Sequence, residues 1–151
     1  MIQYGGRPGQ MGQQRPQQSF PIPTDATLKA IVLEGEGKPL VESAQLLGKA
    51  LRECGLTSSQ IRGVFGSVRL IQAKWPFGVD GPDAKVALRQ LLLLKPKLAY
   101  QSSRDKSGGV ERLQQVLVPA IDLVTTREHL QHLADYFEAI LAYHKAEESR
   151  R

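Results

Sequence analysis

The chain has 151 residues, 41% of them hydrophobic and 23% charged, with 20 Lys and Arg against 15 Asp and Glu and a single cysteine. That size supports one domain with its own core, and one thiol excludes an internal disulfide framework and fits a reducing cytoplasm. No uncharged apolar run reaches the roughly 18 residues of a membrane span, and no charged-then-apolar leader opens the chain, so neither membrane nor secretion is expected.

Residues 1–23 are rich in Gln, Gly and Pro and offer little to bury, so they are expected to form a disordered arm before a single domain over 24–151. Thr24 and Asp25 are cap residues for a first helix that buries Leu28, Ile31 and Val32, and Gly35 and Gly37 end it. Pro39 opens a second helix with Leu40, Ala44, Leu47, Leu51 and Cys54 inward. At such a position Cys54 reads as an inert buried thiol. Gly55 followed by Leu56 reads as a glycine stop with its hydrophobic contact.

Thr57 and Gln60 have capping-box spacing, and the helix they start turns Ile61, Val64, Phe65, Val68, Ile71 and Trp75 inward. Arg62 and Arg69 lie two turns apart on its flank, beside a strip of small residues: Gly63, Gly66 and Ala73. Interior glycines cost roughly 1 kcal/mol each against alanine. Close approach is therefore expected there, by a crossing helix or, as the sharper reading, by a nucleic-acid backbone.

After a loop over 76–82, residues 82–104 read as one long helix kinked at Pro96. Its expected core face holds Ala84, Leu88, Leu91, Leu92, Leu98 and Ala99, with Lys97, Gln101 and Arg104 opposite. Lys95 falls within the apolar face, where it must snorkel or pair, with Glu138 the candidate partner. Val86, Leu93 and Leu94 lie on the nominally wet side, an apolar surplus that points to packing against another subunit.

Residues 105–109 read as a flexible polar turn. The next helix turns Val110, Leu113, Leu117, Ala120, Ile121 and Val124 inward, with Pro119 as a second kink. A second capping box, Thr125 with Glu128, opens the last helix, whose core face is Leu130, Leu133, Ala134, Phe137, Ile140 and Leu141. No segment alternates at period two. The chain therefore reads as all-α, a compact bundle of five to six helices.

Positive charge gathers in one segment, residues 57–106, with nine basic groups against Asp80, Asp83 and Asp105. A polyanion footprint and a solvated basic face fit this equally well. Catalysis has no support: there is no nucleophile turn, glycine-rich phosphate cradle or pair of carboxylates. His129 and His132 lack a further ligand at metal spacing, so neither metal nor cofactor is expected. The flank of His129, His132, Tyr136 and Tyr143 suits helix packing better than base stacking. His144 projects onto the core face.

Four stretches then connect the chain to a family. They are Leu56-Thr57-Ser58-Ser59-Gln60-Ile61-Arg62; the Leu-Lys-Pro-Lys-Leu-Ala-Tyr run from Leu94 to Tyr100 with Arg104 after it; the following helix; and Tyr136-Phe137-Glu138-Ala139-Ile140-Leu141-Ala142-Tyr143-His144-Lys145. In this order they resemble the small subunit of the type III-A CRISPR–Cas interference complex, the Csm complex. The likeness is good over about residues 56–145, loose over 24–55 and absent from the arm.

The resemblance implies a helical bundle without enzymatic activity, whose copies stack head to tail into a filament in antiviral defence. Its implied partners are the backbone subunits that hold the CRISPR RNA, the large polymerase-like subunit, and the target RNA. Cleavage and nucleotide chemistry would belong to those other subunits. Arg62, Arg69, Lys97 and Arg104, in the only strongly basic segment, are the candidate RNA-binding residues, with Lys95 and Lys145 beside them. The resemblance adds that the matching subunit faces the guide–target duplex. Two other readings stay open, a stand-alone single-stranded nucleic-acid-binding protein and a helical protein–protein adaptor.

Overall fold

The computed structural model describes residues 19–75 and 82–149, and every element among them is an α-helix. In chain order these are α1 (Asp25–Val32), α2 (Gly37–Glu53), α3 (Ser58–Ala73), α4 (Pro82–Leu92), α5 (Leu94–Arg104), α6 (Gly109–Leu123) and α7 (Arg127–Ser149). The all-α bundle expected from the sequence is what forms. The expected arm lies outside the described residues up to position 18, and the loop up to position 81. The last arm residues are not idle, however. Phe20 packs half-buried against the core, with the Arg112 guanidinium 5.2 Å above its ring.

Local chemistry sets most of the boundaries. The Thr24 hydroxyl accepts the Thr27 N–H at 3.1 Å and starts α1. At the end of α2, Gly55 at φ +90 lets its own N–H reach Arg52 O and the Leu56 N–H reach Leu51 O, both at 3.1 Å. That is the Schellman stop, and Leu56 is buried as its hydrophobic contact. The capping box of α3 is complete: Gln60 N–H donates to Thr57 Oγ1 at 3.1 Å, and Thr57 N–H donates to Gln60 Oε1 at 2.9 Å.

The expected second box is displaced by one residue. Val124 is buried at the end of α6, so Thr126 becomes the cap and accepts the His129 N–H at 3.1 Å. In place of Glu128, the His129 ring serves the Thr125 N–H through Nδ1 at 3.2 Å.

The expected long helix over 82–104 is instead two. Pro96 cannot donate to the Leu92 carbonyl and its ring crowds that oxygen, so α4 stops at Leu92. Helix α5 restarts at Leu94 with the proline in its first turn, where no intrahelical donor is needed. The restart changes the buried set to Ala84, Ala87, Leu91, Leu94 and Leu98. Leu92 and Ala99 turn outward, Leu88 is half-buried, and Leu94 moves from the expected wet side into the core. Cys54 also differs from expectation, being half-buried at the end of α2.

The turn after α5 is hydrogen-bonded, not the loose linker expected. Asp105 accepts the Val110 N–H at 2.9 Å and the Ser107 N–H at 3.2 Å, and so caps the start of α6. The Val110 N–H first, then Ser107 and Gln60, hold the Asp105 carboxyl below its ordinary value of 3.8. A lowered folded pKa means the carboxylate's contribution is complete above that value and lost as pH falls through the folded pKa. The stability gap between wild type and Asp105→Asn should therefore narrow below about pH 4. Thermal midpoints measured against pH check this, and a gap independent of pH would contradict it.

Helix α7 is the axis of the bundle, with α2 packed along it and α1 and α3 on its sides. Its buried residues include Leu130, Leu133, Tyr136, Phe137 and Ile140. Gly48 marks where α2 and α7 meet most tightly: a Cβ there would lie 2.5 Å from Tyr143 Cβ and 2.7 Å from the His144 backbone nitrogen. Of the ring-bearing flank, His132, Tyr136 and Tyr143 are engaged in this packing, while His129 serves the start of its own helix. The Tyr136 hydroxyl shares a 2.7 Å hydrogen bond with Ser43, and burial pushes its pKa up to about 12. His132 Nδ1 lies 2.8 Å from Val32 O, and His144 Nε2 lies 2.7 Å from Leu56 O.

Candidate nucleic-acid interface

Helix α3 turns Ile61, Val64, Val68 and Ile71 into the core and leaves Arg62, Gly63, Gly66, Arg69 and Leu70 exposed. Arg62 and Arg69 stand on the flank toward α7. The Arg69 guanidinium sits 5.7 Å over the Phe65 ring, and Phe65 in turn lies 5.4 Å from Phe137. Arg62 lines a cleft of about 290 Å³ with Ser58, Glu138, Leu141, His144 and Lys145, so the structure brings Arg62 and Lys145 together. Lys145 is partly neutralised there by Glu148, at 3.3 Å. Hydrogen bonds from Ser58 and then Lys145 hold the Glu148 carboxyl below its usual range.

The opposite flank of α3 faces α5. Because the two helices run antiparallel, two clefts follow one another between them. One, of about 330 Å³, is lined by Ser67, Leu70 and Lys74 of α3, then Gln90, Leu93 and Lys97. The other, of about 400 Å³, is lined by Ser59, Gln60 and Gly63 of α3, Tyr100, Gln101 and Arg104 of α5, and Asp105 and Val110. Lys97 and Arg104 thus lie two turns apart along one wall, as the sequence suggested. Arg104 Nη1 donates to the Tyr100 hydroxyl at 2.7 Å, with its guanidinium 5.5 Å over the ring. Among the described residues, Arg62, Arg69, Lys97 and Arg104 form no ion pair.

Lys95 does not join this surface. The restart at Leu94 swings it out of the apolar face and toward α6, where Nζ meets Asp122 Oδ1 at 2.7 Å. Its partner is therefore Asp122 rather than Glu138. Both side chains are well exposed, so the pair contributes about 1 kcal/mol at most.

The glycine strip gives a different answer from the one expected of helix packing. Among the described residues nothing lies within 4 Å of a Cβ placed at Gly63 or Gly66, so no described helix crosses there. Both glycines open to solvent between the arginine flank and the α5 clefts. Two members of the surface were not singled out as candidate contacts in the sequence. Lys74 closes one cleft, and Tyr100 walls the other while 61% exposed. Tyr100's position three residues after Lys97 and four before Arg104 was the signal available. Among the described residues no cluster of His, Cys, Asp or Glu could hold a metal ion, and no helix is long and apolar enough to cross a membrane.

A model of the family described as Csm2 Type III-A matches residues 34–150, from just before α2 to the end of α7. The chain belongs to the Csm2 Type III-A family. It is therefore a small structural subunit of the type III-A Csm complex, with other subunits of that complex as its partners. The match extends well ahead of the stretch beginning at Leu56, taking in the whole of α2. Neither a curated protein nor a solved structure matches this Csm2 Type III-A member significantly.

Proposed function

We propose that this subunit, working in the cytoplasm, stacks with further copies of itself along the Csm complex and lays the exposed face of α3 and α5 against the guide–target RNA duplex. It catalyses nothing itself; its cations hold the target-strand backbone while pairing with the guide reads the sequence. The observation that carries this reading is the grouping of Arg62, Arg69, Lys97 and Arg104, which form no ion pair among the described residues, around a glycine strip that no described helix covers. A surface of this kind admits a phosphate backbone closely and offers it positive charge. Arg62→Ala, Lys97→Ala and Arg104→Ala, each in an intact complex, should weaken target RNA binding by similar factors for every target sequence. Unchanged affinity in all three would place the RNA contact elsewhere.

Stacking is supported by exposed apolar side chains: Leu70 and Leu93, which line the cleft with Lys97, are 65% and 47% exposed, and Val86 of α4 is 52% exposed. Such a surplus on a small chain is what a neighbouring copy would cover, and head-to-tail contact makes a filament rather than a closed pair. Leu93→Glu should impair incorporation into the complex while leaving the isolated chain folded. Normal copy number in complexes built with that variant would contradict the stacking surface.

A further inference from the structure

We propose that the cleft between α3 and α5 takes one unstacked base of the bound RNA strand, laid on the Tyr100–Arg104 platform. This rests on the reading of that face as the RNA-facing surface and adds a base contact at Tyr100 to its backbone contacts, with Arg104 serving both the ring and the phosphate of the stacked nucleotide. The cleft measures about 400 Å³, within the ~300–1,000 Å³ range of small-ligand sites. Its wall is a tyrosine ring 61% exposed, whose hydroxyl accepts a 2.7 Å hydrogen bond from Arg104, with the guanidinium carbon 5.5 Å from the ring centre. An exposed aromatic ring on a helix surface leaves its apolar faces in water. A ring paired with a guanidinium presents two π surfaces on which any base can stack.

The rest of the lining distinguishes a base from a phosphate. The Asp105 carboxylate sits in this cleft and disfavours a phosphate lodged within it, which leaves the phosphate to the exposed side of Arg104. Gln101 and Ser59 offer neutral donors and acceptors suited to a base edge. Lys97, one turn before Tyr100 on the same wall, remains for the neighbouring phosphate. Gly63 keeps the opposite wall open, because a Cβ there would project into empty space.

The test uses target RNA with 5-iodouridine at successive positions, bound to the assembled complex and irradiated, since halogenated pyrimidines photo-couple to aromatic rings stacked on them. A crosslink to Tyr100 is expected. Crosslinks only to other residues of α3 and α5 would leave the RNA-facing surface standing and overturn the base platform. No crosslink to this subunit would overturn both. Affinity measurements separate stacking from a merely structural role. Tyr100→Ala should weaken target binding about fivefold or more, and Tyr100→Phe, which keeps the ring, should stay within about twofold of wild type. Gly63→Leu, filling the cleft from a solvent-facing position, should match Tyr100→Ala. Equal losses for the Ala and Phe variants of Tyr100 would assign the effect to the hydroxyl that positions Arg104, and the base platform would fall.

Discussion

Gly48→Ala is expected to destabilise the bundle by about 2 kcal/mol or more, while Gly63→Ala and Gly66→Ala each stabilise it by about 0.5–1 kcal/mol. The three positions share a residue type and a helical setting, so intrinsic propensity alone would make all three substitutions favourable. Packing reverses the sign at one of them. A methyl at Gly48 would lie 2.7 Å from the His144 nitrogen and 2.9 Å from the Tyr143 carbonyl carbon, which are backbone atoms of α7 that no rotamer change can move. Helices α2 and α7 would have to separate, and their contact is the most extensive among the described helices. At Gly63 and Gly66 the methyl enters open space, so only the gain in helix propensity is felt. Denaturant midpoints of the three variants check the contrast, and stabilisation by Gly48→Ala would contradict the close crossing.

The second large effect falls on binding. Replacing Arg62, Lys97 and Arg104 together by alanine should weaken target RNA binding by a factor on the order of tens at physiological salt, if each neutralises one phosphate. All three are exposed and, among the described residues, without an ion-pair partner, so their loss removes favourable charge without exposing core or stranding a buried group. The fold should therefore survive the triple substitution, with a thermal midpoint near that of the wild type. Lys95→Ala serves as the matched control. It removes the same charge from the same segment, but from a side chain already facing Asp122 of α6, and should barely change RNA affinity.

Much of this fold was legible because its signals are local. Thr24, the Thr57–Gln60 box and the Gly55–Leu56 stop act through hydrogen bonds within one turn, and they lie where the sequence suggests. The misreadings share a cause, which is that the deciding partner is distant or lies one residue away. Pro96 signals a break correctly, but the oxygen it fails to serve belongs to Leu92, so the interruption falls ahead of the proline and shifts the register of Leu92, Leu94 and Lys95. Thr125 and Thr126 are equally good caps in isolation, and burial of Val124 chooses between them. Gly48, Gly63 and Gly66 look alike in the sequence, and only the position of α7 separates the crossing point from the open strip. The candidate surface was half legible for the same reason. Periodicity groups Lys97 with Arg104 and Arg62 with Arg69, but the antiparallel run of α3 beside α5 brings Lys74 and Tyr100 to that surface.

The salt dependence of target RNA binding tests the role of this surface most directly. Affinities of complexes carrying the wild-type chain or the Arg62/Lys97/Arg104 triple-alanine variant would be measured from low to moderate salt, with assembly verified for both. With three phosphates neutralised by these side chains, the log–log slope should be shallower in the variant by about 2, using the single-strand coefficient of roughly 0.7 per contact. Equal affinities and parallel slopes for the two complexes would contradict the assignment of the α3–α5 face to RNA.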